Sequence, residues 1–386
     1  DALAATYRYE EALVHYDLAL GIEPDDPYVL TGKATALMEL GRYEEALENA
    51  ELALGTDPDY AAALYNRGHV LALLGKYGEG KEYLDMAAEI YDDILRDDPR
   101  DATVLAGKAL VLIDLARYEE AVRQTDRALK ADPDNVGARI TRANVQVHLG
   151  NYEEALQDYE IVLESDPDNP DALIGTANAL RHTKEYEEAL IHIDKALAVI
   201  PGDSNAHNIK AIVLSGIGWS ELALEHYDKA LEADPDNVVL LANIGSALSD
   251  LGRSDKALAY VDRALEINPD YPWALQAKAY VLEGMNDYDG ALEYANRALE
   301  IDPDDTDVLV HVAVMHMDQG HWEDALGYFK RILAIDPKDT YALNEAGYSL
   351  IELGRYSEAV WYFDRILEID PSDTIAFDNR EYALNN

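Results

Sequence analysis

Eleven prolines stand in one register: Pro24, Pro58, Pro99, Pro133, Pro167, Pro201, Pro235, Pro269, Pro303, Pro337 and Pro371. Nine of the ten intervals are 34 residues, and the interval from Pro58 to Pro99 is 41. A fixed period of this length marks a repeat architecture. Each repeat then buries its apolar side only against its neighbours. A chain of 386 residues would otherwise exceed what one hydrophobic core usually serves.

Residues 238–271 show how one repeat folds. Leu241, Ile244, Gly245 and Leu248 recur at helical spacing, and Gly252 stops that helix. A second helix is expected from about Ser254 to Ile267, with Ala257, Leu258, Val261, Ala264 and Leu265 inward. Pro269 cannot continue it and biases Asn268 toward extended backbone. The unit is an antiparallel helix pair joined by a short turn.

Other repeats use the same devices. Asp26, Asp101, Asn135, Asn169, Asp203, Asn237, Asp305, Asp339 and Asp373 precede first helices and suit N-caps. Pro27, Pro170 and Pro272 fit a first helical position. Second helices open on acids such as Glu44, Glu119, Glu153 and Glu187. Arg127, Lys195, Lys229, Arg263, Arg297, Arg331 and Arg365 are expected to close them, complementing the helix dipole. Ala12, Ala46, Ala121, Ala155, Ala189, Ala223, Ala257, Ala291, Ala325 and Ala359 stand twelve residues before the aligned prolines, where helices must approach closely. Gly80 replaces alanine in the long repeat if its extra residues follow it. Tyr43, Tyr77, Tyr118, Tyr152, Tyr186, Tyr288, Trp322 and Tyr356 fall three residues earlier still and read as packing.

The small residue of the first helix, the Gly-x-Tyr turn, the second-helix Ala and the closing Asp-Pro resemble the tetratricopeptide repeat family. Residues 40–47, LGRYEEAL, and 265–271, LEINPDY, look like its consensus. The resemblance covers essentially the whole chain. It implies an all-α fold, a right-handed α-solenoid (superhelix) of tandem 34-residue helix-turn-helix repeats. One departure recurs: the family's large aromatic early in the first helix is here leucine, as at Leu30, Leu64 and Leu105.

The expected organisation is one continuous array over residues 1–386. Residues 1–26 form a partial first repeat, with residues 1–6 supplying the end of its first helix. Residues 27–373 form ten full repeats, and the one at 61–101 carries a seven-residue insertion that should lengthen its second helix. Residues 374–386 form a terminal helix, either a cap with a polar outer face or a truncated repeat.

Charge narrows the function classes. Acidic residues number 76 against 31 basic, a net charge of -45. That opposes nucleic-acid binding, which needs Lys and Arg against phosphate. It favours solubility and basic partners, and also fits a salt-rich surrounding. The absence of cysteine removes disulfides and thiolate chemistry. No apolar run approaches the ~20 residues of a membrane helix, and no secretory signal opens the chain. The expectation is a cytoplasmic protein.

No catalytic or metal site and no cofactor is expected. His311, His316 and His321 are five apart, which a single helix does not bring to one face. His182 and His192 fall on different helices without a nucleophile. Gly75, Gly78 and Gly80 do not form GxGxxG, and the Asp-rich turns lack the glycine and final Glu of a calcium loop.

The resemblance implies a binding groove lined by the first helices. Carried onto this sequence, its N-terminal zone has Tyr28, Tyr65, Asn66 and His69. The middle has Asn144, His148, Asn178, Arg181, His182, Asn205, Asn208 and Asn243. The C-terminal zone has Trp273, Tyr280, Glu283, Asp307, Asp318, Tyr341, Glu345, Tyr348 and Glu352. Asn144 and Asn178, one repeat apart, are expected to stack as an amide ladder against a peptide backbone. The C-terminal aromatics and acids suit a basic and apolar segment. One family subgroup clamps the C-terminal carboxylate of heat-shock chaperones, and its first Lys would fall at Thr31, Tyr65, Ala106, Ile140, Ile174, Asn208, Ala242, Gln276, Val310 or Asn344. None is basic, so this chain is not expected to be that kind of co-chaperone.

The leading functional reading is a non-catalytic scaffold for an extended peptide or partner protein. Alternatives are the targeting arm of an enzyme whose catalytic domain lies outside these residues, and a solenoid that self-assembles. The chain is expected as a monomer or in weak end-to-end self-association.

Overall fold

A computed structural model describes residues 8–386, which form 22 helices and no strand. The expected helix end at residues 1–6 lies outside the described residues. The chain divides into two units, Asp1–Pro235 and Asp236–Asn386.

The first unit opens on α1 (Tyr9–Leu20), a helix of the second type. Three pairs follow: α2 (Pro27–Glu39) with α3 (Tyr43–Thr56), α4 (Ala61–Leu73) with α5 (Tyr77–Asp97), and α6 (Ala102–Asp114) with α7 (Tyr118–Ala131). Three more complete it: α8 (Val136–His148) with α9 (Tyr152–Ser165), α10 (Pro170–His182) with α11 (Tyr186–Val199), and α12 (Ser204–Ile217) with α13 (Ser220–Ala233).

The second unit pairs α14 (Val238–Asp250) with α15 (Ser254–Ile267) and α16 (Pro272–Gly284) with α17 (Tyr288–Ile301). It continues with α18 (Thr306–Asp318) and α19 (Trp322–Ile335), then α20 (Thr340–Glu352) and α21 (Tyr356–Ile369), and ends on α22 (Thr374–Leu384). Within each unit paired helices pack on each other, and second helices pack on the first helix of the next repeat. First helices also touch across repeats, as α2 does α4 in the first unit and α14 does α16 in the second.

Local chemistry explains where these helices start and stop. All nine Asp and Asn N-caps named above accept backbone amides of the first turn. Each such cap stabilises its helix by about 1 kcal/mol. Between paired helices one residue turns left-handed. It is glycine at seven places, with φ from 67° at Gly252 to 91° at Gly218. Ala116, Lys184 and Asn286 hold the same register at φ 55°, 65° and 63°, where a Cβ is strained.

The basic residues differ from the helix-dipole expectation. Arg127, Arg297 and Arg331 lie four residues short of their helix ends, outside the last turn. Helical side chains lean toward the N-terminus, so these reach back to the preceding repeat's proline turn. Their Nη2 groups donate to the carbonyls of Pro99 at 3.1 Å, Pro269 at 2.9 Å and Pro303 at 2.7 Å.

A second recurring clamp joins a second helix to the next first helix at seven junctions. Lys33 meets Asp17 at 2.7 Å, Arg67 meets Glu51 at 3.0 Å, Arg142 meets Asp126 at 2.9 Å, Lys210 meets Asp194 at 2.7 Å and Lys278 meets Asp262 at 2.6 Å. Lys108 with Asp92 and Arg380 with Asp364 repeat the pairing. Arg142 also binds Asp158, whose carboxylate is almost wholly buried.

α5 has 21 residues where α3 and α7 have 14. Gly80 stands at its closest approach to α4, where an added Cβ would lie 2.6 Å from the Gly68 carbonyl oxygen. The exposed surface of α22 carries Ile375, Phe377, Tyr382 and Leu384, so its outer side is not the polar one expected of a cap.

Candidate functional site

The middle of the first-helix face lies in the first unit. Asn144 is exposed on α8, and its Oδ1 accepts from the Tyr159 hydroxyl at 2.5 Å. Tyr159 is buried on α9 and lies over Gly175, where a Cβ would fall 2.3 Å from its Cζ. Only glycine leaves room for that ring. Asn178 on α10 uses its Oδ1 to accept from Arg181 Nε at 2.6 Å. Both amide oxygens are therefore held by the protein's own donors. The expected ladder offered donors and acceptors alike; in the folded arrangement the two Oδ1 acceptors are already used by Tyr159 and Arg181.

His148 stacks on Tyr118 with centroids 5.0 Å apart, and His182 on Tyr152 at 4.9 Å. Burial lowers both imidazoles below the usual histidine range, so both are neutral at pH 7. Burial also lowers the Arg181 guanidinium. Asn205 is exposed and Asn208 half-buried on α12. Asn66, placed in the groove from the sequence, is buried instead. Its Nδ2 donates to the Thr31 carbonyl at 3.1 Å and Thr35 Oγ1 at 3.0 Å, sealing α2 to α4.

Asn243 belongs to the second unit, where its Oδ1 accepts from Trp273 Nε1 at 2.8 Å. In the same unit Tyr280 stacks on His311 at 3.9 Å, and His311 Nε2 lies 2.8 Å from Glu283 Oε2. Tyr341 and Tyr348 are exposed, with edge contacts to Phe329 at 6.3 Å and Trp322 at 5.8 Å. The Glu352 carboxylate raises the Tyr348 phenol.

Sequence reasoning missed an acidic convergence in the first unit. Glu39, at the end of α2, is pushed up to about 7 by burial and by the charges of Asp171 and Asp203. Water still reaches part of its surface, but surrounding protein removes most of its bulk solvation. Tyr9 is raised by burial and by Glu39, Asp171 and Asp203, and Tyr43 by burial and Asp234. His69 Nδ1 sits 2.6 Å from Asp114 Oδ2. Burial opposes the His69 charge, yet the Asp114 hydrogen bond and the nearby carboxylates outweigh it and raise the imidazole. No sequence interval shorter than several repeats announces this cluster.

Histidines also meet where their spacing argued against it. The left-handed turn at Gly320 separates His316 at the end of α18 from His321 at the N-cap of α19. A ligand atom from each and one from Asp324 lie within 4.8 Å of one another. A five-residue interval separates faces on one straight helix, whereas here the chain reverses inside it.

Comparisons with known proteins agree with this geometry. Tetratricopeptide repeat profiles match residues 3–48, 112–158, 282–344 and 316–378, then 59–134 and 237–304, and also 140–206 and 204–237. A TPR repeat profile matches residues 34–75. No curated protein matches the sequence. Among solved structures, yeast Tom70 is similar at TM-score 0.53 and 16% identity, over 100% of this chain and 93% of that one. The Cut9–Hcn1 hetero-tetramer of APC/C gives 0.56 at 14% identity, over 99% and 88%. The human IFIT1 dimer with m7Gppp-AAAA gives 0.57 at 17%, over 95% and 97%. At such identities the likeness is one of fold.

Proposed function

Because the chain belongs to the tetratricopeptide repeat family, we propose that it is a non-catalytic protein-interaction scaffold whose first-helix face takes an extended, basic and apolar segment of a partner. The observation that carries the charge preference is Glu39. Its carboxyl is held near 7 by burial and by Asp171 and Asp203, so negative potential is in excess there. A lysine or arginine of a partner replaces the proton and relieves that repulsion. The Nδ2 groups of Asn144 and Asn178 supply donors for peptide carbonyls. The second unit, taken by itself, offers the exposed Tyr341 and Tyr348 as faces for cations and apolar side chains.

One structural neighbour holds a capped RNA fragment. With 31 basic against 76 acidic residues, this chain is ill-suited to a phosphate backbone. Fluorescence anisotropy with labelled peptides of basic–apolar, neutral–apolar and acidic–apolar composition tests the reading. The basic set should bind, its affinity should fall with added salt, and Asp171→Asn should weaken it. Binding indifferent to peptide charge would contradict it.

A second reading is self-association, favoured by the exposed apolar residues of α22. Light scattering across a concentration series tests it: a constant mass removes it.

A further inference from the structure

We propose that His316, His321 and Asp324 form a binding site for a divalent cation of the zinc class at the α18–α19 turn. The site goes beyond the scaffold reading and does not depend on it.

The donor set is the first argument. Two imidazoles and one carboxylate bring one ligand atom each within 4.8 Å of one another. Ligand atoms around a tetrahedral zinc are roughly 3.3 Å apart, given its bond lengths near 2 Å. His321 and Asp324 are both exposed, so their side chains are free to rotate and close the difference. Imidazole ligands select zinc and its neighbours over magnesium and calcium, which take oxygen.

The second argument is an orphaned ligand atom. Among the described residues, six buried side-chain nitrogen or oxygen atoms lack a hydrogen-bond partner within the protein, and one is His316 Nδ1. An unpartnered buried polar atom is costly. A metal at His316 Nδ1 would remove that cost.

The third argument is preorganisation. His316 is stacked on Tyr328 at 5.6 Å with an interplanar angle of 17°, and the backbone amide of His321 donates to the His316 carbonyl at 2.8 Å. Three protein ligands leave a fourth position for water or for a side chain of a bound protein. Trp322, the residue after His321, meets Tyr348 at 5.8 Å, so its emission reports on changes at this turn.

Isothermal titration of the full chain with zinc chloride tests the site, in excess magnesium so that the acidic surface is already occupied. One saturable zinc per chain is expected, with a change in tryptophan emission. His316→Ala, His321→Ala and Asp324→Asn should each weaken it by about tenfold or more. His321 and Asp324 are exposed, so those two variants should keep the helical circular dichroism of the parent even if His316→Ala does not. Absence of a saturable site above the magnesium background would overturn the proposal. So would zinc affinity unchanged in folded His321→Ala.

Discussion

The Tyr43 hydroxyl donates to Asp234 Oδ2 at 2.9 Å across 191 residues of sequence. Tyr43 opens α3, and Asp234 follows α13, so the second and seventh repeat segments of the first unit meet directly. Repeats that contact only their neighbours in sequence do not require this bond. It closes the edge on which Glu39, Tyr9, Asp171 and Asp203 sense one another.

Tyr43→Phe should therefore loosen the first unit locally. A hydrogen bond to a charged group contributes about 1.5–3 kcal/mol. Hydrogen exchange should show faster opening at α1–α3 and at the end of α13, with the second unit unchanged. Uniform behaviour along the chain would show that the bond is not a closure.

The Glu39 carboxyl gives this unit a pH dependence of unusual sign. Its folded value, about 7, lies above the ordinary glutamate value of 4.5. Between those values the folded state holds more protons than the unfolded state. Stability from this group is therefore full below about 4.5 and is lost as pH rises toward 7. Glu39→Gln should raise the melting temperature at pH 8 and leave it nearly unchanged at pH 5. Equal effects at both would place the shift elsewhere.

His207 and His226 act in the opposite direction. Their Nδ1 atoms are 2.9 Å apart, and His207 Nε2 lies 3.0 Å from the Pro201 carbonyl. That carbonyl only accepts, so His207 carries its proton on Nε2 and accepts at Nδ1 from His226. Burial and the charge of Lys210 push His226 down to about 4. Its folded value is depressed, so its contribution is present above 6.5 and lost as pH falls toward 4. Within that window each pH unit costs at most about 1.4 kcal/mol. His226→Asn should flatten the acid limb of a stability–pH profile. An unchanged limb would mean the pair is not what titrates.

Ala116 and Lys184 stand at φ 55° and 65° where most repeats use glycine. Replacing either with glycine should stabilise the protein by about 1 kcal/mol, the strain of a left-handed residue less glycine's greater freedom when unfolded. Asn tolerates this conformation, so Asn286→Gly should change little. Chemical denaturation of the three variants checks the order, and loss of stability in Ala116→Gly would refute the strain argument.

What was legible in the sequence is whatever one repeat decides locally. The aligned prolines, the Asp and Asn caps and the Gly turns each act within a few residues, so helix pairs follow from them directly. The 16-residue interval between Asp17 and Lys33, or Asp262 and Lys278, is also visible in the sequence once second helices are seen to pack on the next first helix. The site is less legible. Asn144 is legible, but the direction of its amide depends on Tyr159, which Gly175 of the next repeat leaves room for. His316 and His321 meet only because the chain reverses at Gly320. Tyr43 and Asp234 meet through the accumulated rotation of several repeats, which no single repeat encodes.

On the proposed reading, the first-helix face of the first unit, through Asn144 and Asn178, holds the backbone of a bound segment. Titration of the tightest basic–apolar peptide against the Asn144→Ala, Asn178→Ala double variant tests it most directly. Two lost hydrogen bonds at about 1 kcal/mol each predict affinity lower by roughly ten- to thirtyfold, with the circular dichroism unchanged. Undiminished affinity in the folded double variant would contradict the account and move binding to another face.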